Sequence, residues 1–252
     1  MSNISLLTML PKVIALSGFI ATAFACFGHY NQEARDHGVG LARRSETYPK
    51  LDPGNDTPAD PKTTGYFVNH LALNVRDMNQ SIKWYGEVFG LRLIFQFHLT
   101  AKVSIAYLGH SHGGRNGTGF QTALELSRQR NNIEGLVELV YFADRAADIV
   151  PSTAHTNTFS HFGLVVPDIQ AAQARFEKLG VNILRKVGET GKLQDPLAES
   201  LGVGGLADRD PAEAEKVLQA FLGAGGRDFI FIADPDGNMI EVQSLYTPPL
   251  EW

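Results

Sequence analysis

Two stretches of the chain share one pattern of apolar and polar positions. NHLALNVRDMNQSIKWYGEVFGLRLIF, beginning at Asn69, opens on a short apolar strand and then places Ile82, Tyr85 and Phe89 at helical spacing. SHFGLVVPDIQAAQARFEKLGVNILRK, beginning at Ser160, does the same with Ile169, Ala172, Phe176 and Leu179. A period of two marks a strand and a period near 3.6 an amphipathic helix. Each stretch passes through an aspartate suited to N-capping, Asp77 or Asp168, and halts at a glycine suited to the left-handed position after a helix, Gly90 or Gly180. At an offset of 91 the pairs His70/His161, Leu73/Leu164, Val75/Val166 and Asp77/Asp168 coincide, and a one-residue slip then pairs Gly90 with Gly180. The chain carries an internal repeat of strand, helix and strand.

More strands follow in each copy. LRLIFQFHL, KVSIAYLGH and GLVELVYF in the first, and VNILRKV, DFIFIAD and NMIEVQSL in the second, are rich in β-branched and aromatic residues. The predicted fold class is α+β. Two tandem βαβββ modules, residues 66–145 and 158–246, form a curved mixed sheet or half-barrel within a domain spanning 66–246. The second module holds an insertion, residues 188–226, in which DPAEAEKVLQAFLGAGG predicts a capped helix ending at glycine. A lid, an interface element and surface decoration are all open to it.

Composition narrows the partners. An apolar share of 44%, a charged share of 19% and a net charge of −5 lack the basic face that phosphate binding requires, which argues against nucleic acid. A single cysteine, Cys26, offers no intrachain disulfide. Residues 1–27 are expected to be a signal peptide or N-terminal hydrophobic segment. Lys12 precedes VIALSGFIATAFACF, which has the length of a signal-peptide core and is short for a stable membrane span, and Ala23-Phe24-Ala25 suits a signal peptidase. Cleavage would make the protein secreted; without it the expected location is cytoplasmic. Residues 28–65, polar and rich in Pro, Gly and Asp, read as a flexible leader in which Arg43-Arg44 is a solvated pair or a processing site.

Candidate chemistry comes from the repeat. His70 and His161 occupy the same point of the first strand, on the face shared with Ala72 and Asn74 in one copy and with Gly163 and Val165 in the other. Glu138 in GLVELVYF and Glu241 in NMIEVQSL each interrupt the apolar pattern of a last strand. A buried ionised carboxylate is costly unless a cation or a hydrogen-bond network compensates it. Two imidazoles and two carboxylates form a donor set suited to zinc, nickel, cobalt or manganese. The competing reading is of solvent-facing glutamates and structural histidines.

NHLALNVRDMNQSIKWYGEVFG, FSHFGLVVPDIQAAQARFEKLGV and DPDGNMIEVQ resemble the vicinal oxygen chelate superfamily (glyoxalase, bleomycin resistance and extradiol dioxygenase proteins), most closely its glyoxalase I, or lactoylglutathione lyase, branch. The resemblance covers about residues 66–246, apart from the insertion. It implies a metal-dependent carbon–sulfur lyase that isomerises the hemithioacetal of methylglyoxal and glutathione to a lactoyl thioester. It further implies one divalent ion, Zn2+ or Ni2+ with Co2+ as a further option, on His70, Glu138, His161 and Glu241, with Glu241 and Glu138 as the acid/base candidates. Glu125 in TALELS competes for the place of Glu138, but GLVELVYF is the stronger β segment and ALELSRQ resembles a short helix that precedes the metal strand in longer members.

The chain departs from the glyoxalase I pattern where that branch holds glutathione. Asn74 stands in place of an arginine four positions after the first ligand, Val140-Tyr141-Phe142 replaces a Thr-His/Tyr-Asn run, and Asn157 occupies a second arginine position. The metal ligands are retained and the glutathione contacts are not. A metal enzyme of the same fold on another vicinal oxygen substrate, and a non-catalytic small-molecule-binding protein, therefore stand as alternatives. The expected partner is a small molecule, a glutathione adduct among the options, and the state a monomer or homodimer.

Overall fold

A computed structural model describes residues 48–113 and 119–247, all of them within the compact unit Thr47–Trp252. The expected signal segment 1–27, with Cys26, and the Arg43-Arg44 pair lie outside the described residues. The described part of the leader is exposed and contains one short 3-10 turn, Pro61–Thr63. No helix among the described residues is long and apolar enough to cross a membrane.

Two four-stranded mixed sheets with helices make up the fold, in the repeated order the sequence predicts. The first comprises β1 (His70–Asn74), α1 (Met78–Phe89), β2 (Arg92–His98), β3 (Val103–Gly109), a short α2 (Ala123–Gln129) and β4 (Leu136–Phe142). The second comprises β5 (His161–Val166), α3 (Ile169–Leu179), β6 (Asn182–Arg185), the helices α4 (Leu197–Ser200), α5 (Leu206–Arg209) and α6 (Pro211–Phe221), then β7 (Ile230–Ala233) and β8 (Met239–Ser244). Strand order is β1-β4-β3-β2 in one sheet and β5-β8-β7-β6 in the other. In both, the first strand runs parallel to the last, and the remaining pairings are antiparallel.

The helix boundaries follow from local chemistry. Asp77 accepts the backbone N–H of Gln80 at 3.0 Å, and Asp168 that of Ala171 at 2.9 Å. Each satisfies an otherwise unpaired donor of a first helical turn. Gly90 at φ 74° and Gly180 at φ 68° end the helices in a left-handed conformation that a side chain would resist. The strand expected from VNILRKV is shorter than its pattern, because beyond Arg185 the backbone N–H of Val187 turns to the Gln173 side chain at 2.9 Å.

One face of each sheet is covered by its own helix. Leu73, Val75, Leu108, Val137 and Leu139 bury against Tyr85 of α1, and Ile230, Ile232, Ile240 and Val242 bury against Phe176 of α3. Trp84, Phe89 and Phe162 pack against both clusters, so the two modules share core. Polar contacts join them as well. Tyr85 donates its hydroxyl to Asp234 at 2.7 Å, and Asp236 accepts the Arg76 backbone N–H at 2.9 Å. The opposite sheet faces carry the residues singled out for chemistry.

Candidate functional site

Strand pairing places each histidine beside its own module's glutamate. In the first sheet Ala72 is the register partner of Glu138, so His70 lies one step along the same face. His70 Nε2 is 3.1 Å from Glu138 Oε2. In the second sheet Gly163 is the register partner of Glu241, and His161 Nε2 is 3.6 Å from Glu241 Oε2. The small residue opposite each carboxylate leaves space above it; a Cβ built on Gly163 would touch nothing within 4 Å. Four side chains thus form two equivalent His/Glu pairs, one per sheet. Among the described residues no group of three or more His, Cys, Asp or Glu side chains converges within the chain.

The surroundings of the two carboxylates differ. Glu138 Oε2 also accepts the Tyr107 hydroxyl at 3.0 Å, and Tyr107 is the β3 register partner of Glu138. Burial first, then the bond and charge of Glu138, raise the Tyr107 pKa. Phe95 stacks on Tyr107 with ring centroids 5.2 Å apart. The corresponding partner of Glu241 is Phe231, which has no hydroxyl to give. Desolvation pushes the Glu241 pKa up, and the neighbouring His161 only partly opposes it. Glu125, the competing glutamate, is engaged elsewhere. It closes a capping box at the start of α2, accepting the Thr122 backbone N–H at 2.7 Å while Thr122 accepts its own N–H at 3.2 Å.

A helical segment covers the same end of each site face. In the first sheet Leu126 of α2 and Ile133 pack with Leu136, the register partner of His70. In the second, Leu197 of α4 packs with Phe231 and with Met239, the register partner of His161. The insertion therefore occupies on one sheet the place that α2 takes on the other. Its helix α6 forms as expected, capped by Asp210, which accepts the Glu213 N–H at 3.0 Å. Buried Arg185 pins the start of the insertion, donating to the carbonyls of Glu189 and Gly191.

The residue before each histidine contacts its ring. Asn69 Oδ1 is 3.0 Å from His70 Nδ1, and Ser160 Oγ is 2.8 Å from His161 Nδ1. Asn69, Ser160 and Tyr107 are neighbours of the candidate residues that the motifs do not reveal. The signal for the first two was adjacency, since a short polar residue precedes the histidine in both copies. For Tyr107 there was no signal without the strand register. Of the residues that stand where arginines are expected, Asn74 is exposed, and Asn157 spends its side chain on a local turn, donating to His155 O and accepting the Phe159 N–H at 2.8 Å. Phe142 lies on the Glu138 face, 41% exposed.

The donor set fits a divalent cation. Each pair offers an imidazole nitrogen and a carboxylate oxygen at the same sheet position, and the half-buried Glu241 makes no hydrogen bond among the described residues, with only His161 at 3.6 Å beside its charge.

The chain is similar to several known proteins. A family model described as the Glyoxalase/Bleomycin resistance protein/Dioxygenase superfamily matches residues 67–194. A lactoylglutathione lyase of Schizosaccharomyces pombe is 30% identical over 135 residues, 51% of this chain and 42% of that protein, so the match spans less than half of the yeast protein's length. One from Pseudomonas aeruginosa is 25% identical over 199 residues, 77% of this chain and 90% of that protein. Among solved structures, a trypanothione-dependent glyoxalase I of Leishmania major aligns with a TM-score of 0.41 at 18% identity, over 71% of this chain and 86% of that one.

Proposed function

Since the chain belongs to the glyoxalase/bleomycin resistance protein/dioxygenase superfamily, we propose that it is a metal-dependent glyoxalase I-like lyase converting a hemithioacetal of methylglyoxal to a lactoyl thioester. The observation that carries this reading is the doubled His/Glu pair, His70 with Glu138 at 3.1 Å and His161 with Glu241 at 3.6 Å, at equivalent positions of two sheets. The names of the related lyases from S. pombe and P. aeruginosa point the same way.

His70, Glu138, His161 and Glu241 would hold one divalent ion, Zn2+, Ni2+ or Co2+. Each sheet contributes two donors and the chain gathers no more than two in one place among its described residues, so the full set is proposed to form between two copies, sheet one of one copy facing sheet two of the other. The bound ion would supply Lewis-acid stabilisation of charge developing on the two adjacent substrate oxygens.

The protein's own groups would do the rest. Glu241, with no hydroxyl tying it down, is the freer carboxylate; it would take the proton from the thiol-bearing carbon and return it to the neighbouring carbon. One carbon loses hydrogen as its hydroxyl becomes the thioester carbonyl, the other gains it as its carbonyl becomes the alcohol, and no outside oxidant is needed. Glu138, held by Tyr107, would stay in place as a ligand.

A second reading keeps the metal chemistry and changes the substrate. Asn74 and Phe142 at the site face, with Asn157 tied into a turn, leave glutathione carboxylates without the arginines expected there. That favours another thiol adduct or another vicinal oxygen compound.

A hemithioacetal assay with several thiols, glutathione included, and with zinc, nickel and cobalt tests both. Turnover is expected, and Glu241→Gln is expected to lower it about 100-fold or more without unfolding the chain. Metal binding with no lyase activity on any thiol adduct would overturn the lyase reading and leave a metal enzyme on another vicinal oxygen compound or a binding protein.

A further inference from the structure

We infer that Asn69 and Ser160 are positioning residues that fix the tautomers of His70 and His161, so that each ring keeps its proton on Nδ1 and turns an Nε2 lone pair toward the metal position. The inference rests on the metal reading above but follows from hydrogen-bond counting at two independent places.

At His161, Ser160 Oγ lies 2.6 Å from Ser200 O and 2.8 Å from His161 Nδ1. A hydroxyl has one hydrogen, and a carbonyl oxygen can only accept. Two oxygens 2.6 Å apart with no hydrogen between them would repel, so the Ser160 proton goes to Ser200 O. The serine oxygen is then an acceptor for the ring, and His161 Nδ1 must donate.

At His70 the same result is reached with different atoms. Asn69 Nδ2 donates to Arg130 O at 2.8 Å and Ile133 O at 2.6 Å. Flipping the amide would set its oxygen against two carbonyl oxygens, so its orientation is fixed. Asn69 Oδ1, 3.0 Å from His70 Nδ1, can only accept, and Nδ1 again donates. Both Nε2 atoms are thereby left to face Glu138 and Glu241, a contact that needs a cation between nitrogen and carboxylate, a metal ion or, without one, a second ring proton.

Each relay ends on the helical segment covering its site face. Arg130 and Ile133 follow α2, and Ser200 closes α4 within the insertion. The insertion accordingly takes part in aiming a metal ligand. A neutral histidine binds metal through one nitrogen whose availability is set by the bond the other makes.

Nitrogen NMR of the histidine rings in the full-length chain, metal-free and zinc-loaded at about pH 8, tests this together with zinc affinity. Nδ1 of both histidines is expected to carry hydrogen in both states. Ser160→Ala is expected to release that preference at His161 and weaken zinc by about 10- to 100-fold, while Ser160→Thr keeps both. Asn69→Ala is expected to do the same at His70; should it fail to fold, the wild-type His70 signal decides. A bare Nδ1 in the wild type, or Ser160→Ala binding zinc within about twofold of wild type, overturns the inference. A wild type with both Nδ1 protons in place but no zinc affinity would instead overturn the metal reading and leave the relay standing.

Discussion

Tyr85 and Tyr107 both donate a hydroxyl to a carboxylate, at 2.7 Å and 3.0 Å, yet their removal should have different consequences. Tyr85 on α1 is fully buried, and its acceptor Asp234 is 5% exposed, so water cannot take the place of the lost hydroxyl. Asp234 is not stranded by Tyr85→Phe. Its Oδ1 keeps the backbone N–H groups of Asp236 and Asn238 at 2.9 and 2.8 Å, and its Oδ2 keeps the Asn238 amide at 3.0 Å. The loss is one charge-assisted bond of four, about 2 kcal/mol. Tyr107→Phe removes a bond from a partly exposed group that water can reach, so its stability cost should stay below about 1 kcal/mol. Its effect should appear at the metal instead, as roughly tenfold weaker binding once Glu138 is free to turn.

Urea unfolding reads the first effect as a lower midpoint with unchanged slope. Trp84, packed against both core clusters, is a fluorescence probe of the joined modules, and far-ultraviolet circular dichroism reports the whole fold. Coincident transitions are expected, since Tyr85 and Asp234 belong to different modules that share core. A Tyr85→Phe cost under about 0.5 kcal/mol, or two separate transitions, would refute the claim that this contact couples them. Equal effects of the two variants on stability would refute the contrast.

The remaining predictions concern the insertion, pH and the shared site. Leu197→Ala, at a position 3% exposed and packed on Phe231 and Met239, should cost about 3 kcal/mol and weaken metal binding through displaced Ser200; denaturation and zinc titration check it. Burial raises the folded-state pKa of Asp236 more than the Arg76 N–H and guanidinium lower it, so the folded chain holds that proton more tightly than the unfolded chain. Its contribution is fully present below the ordinary carboxylate value and lost as pH rises through the raised one, and Asp236→Asn should flatten that part of a stability–pH profile. If the site forms between copies, mixing equal amounts of inactive His70→Ala and His161→Ala chains should restore about a quarter of the activity, because half the dimers are mixed and one of their two sites is intact. Recovery near zero after subunit exchange would argue for a site closed within one chain.

Much of the fold is legible in the sequence. The caps Asp77 and Asp168 and the stops Gly90 and Gly180 stand where periodicity puts them, because those positions depend on local backbone chemistry. The preference for Glu138 over Glu125 rested on local signals, a β-rich segment against a stretch resembling a short helix; Glu125 stands in α2 and caps it, while Glu138 stands on β4 beside His70. What the sequence concealed depends on contacts between residues far apart in the chain. Tyr107 meets Glu138 through the β3–β4 register, and Ser160 meets Ser200 across 40 residues. The gathering of donors into two pairs was likewise hidden, since it is set by the parallel pairing of the first and last strands of each sheet.

Duplication explains why the donors match and why their neighbours do not. A repeated βαβββ unit delivers its first and last strands side by side, so any His on one and Glu on the other recur as a pair. Nothing in that geometry requires the third strand to repeat its side chain, and the register partners have diverged to Tyr107 and Phe231. The hydroxyl of Tyr107 restrains one carboxylate; Phe231, packed beneath Leu197, has none to offer the other, which burial desolvates. A restrained carboxylate is a better ligand, and a desolvated, unrestrained one is a better proton carrier. The division of labour proposed for Glu138 and Glu241 therefore comes down to one oxygen atom, present on β3 and absent from β7.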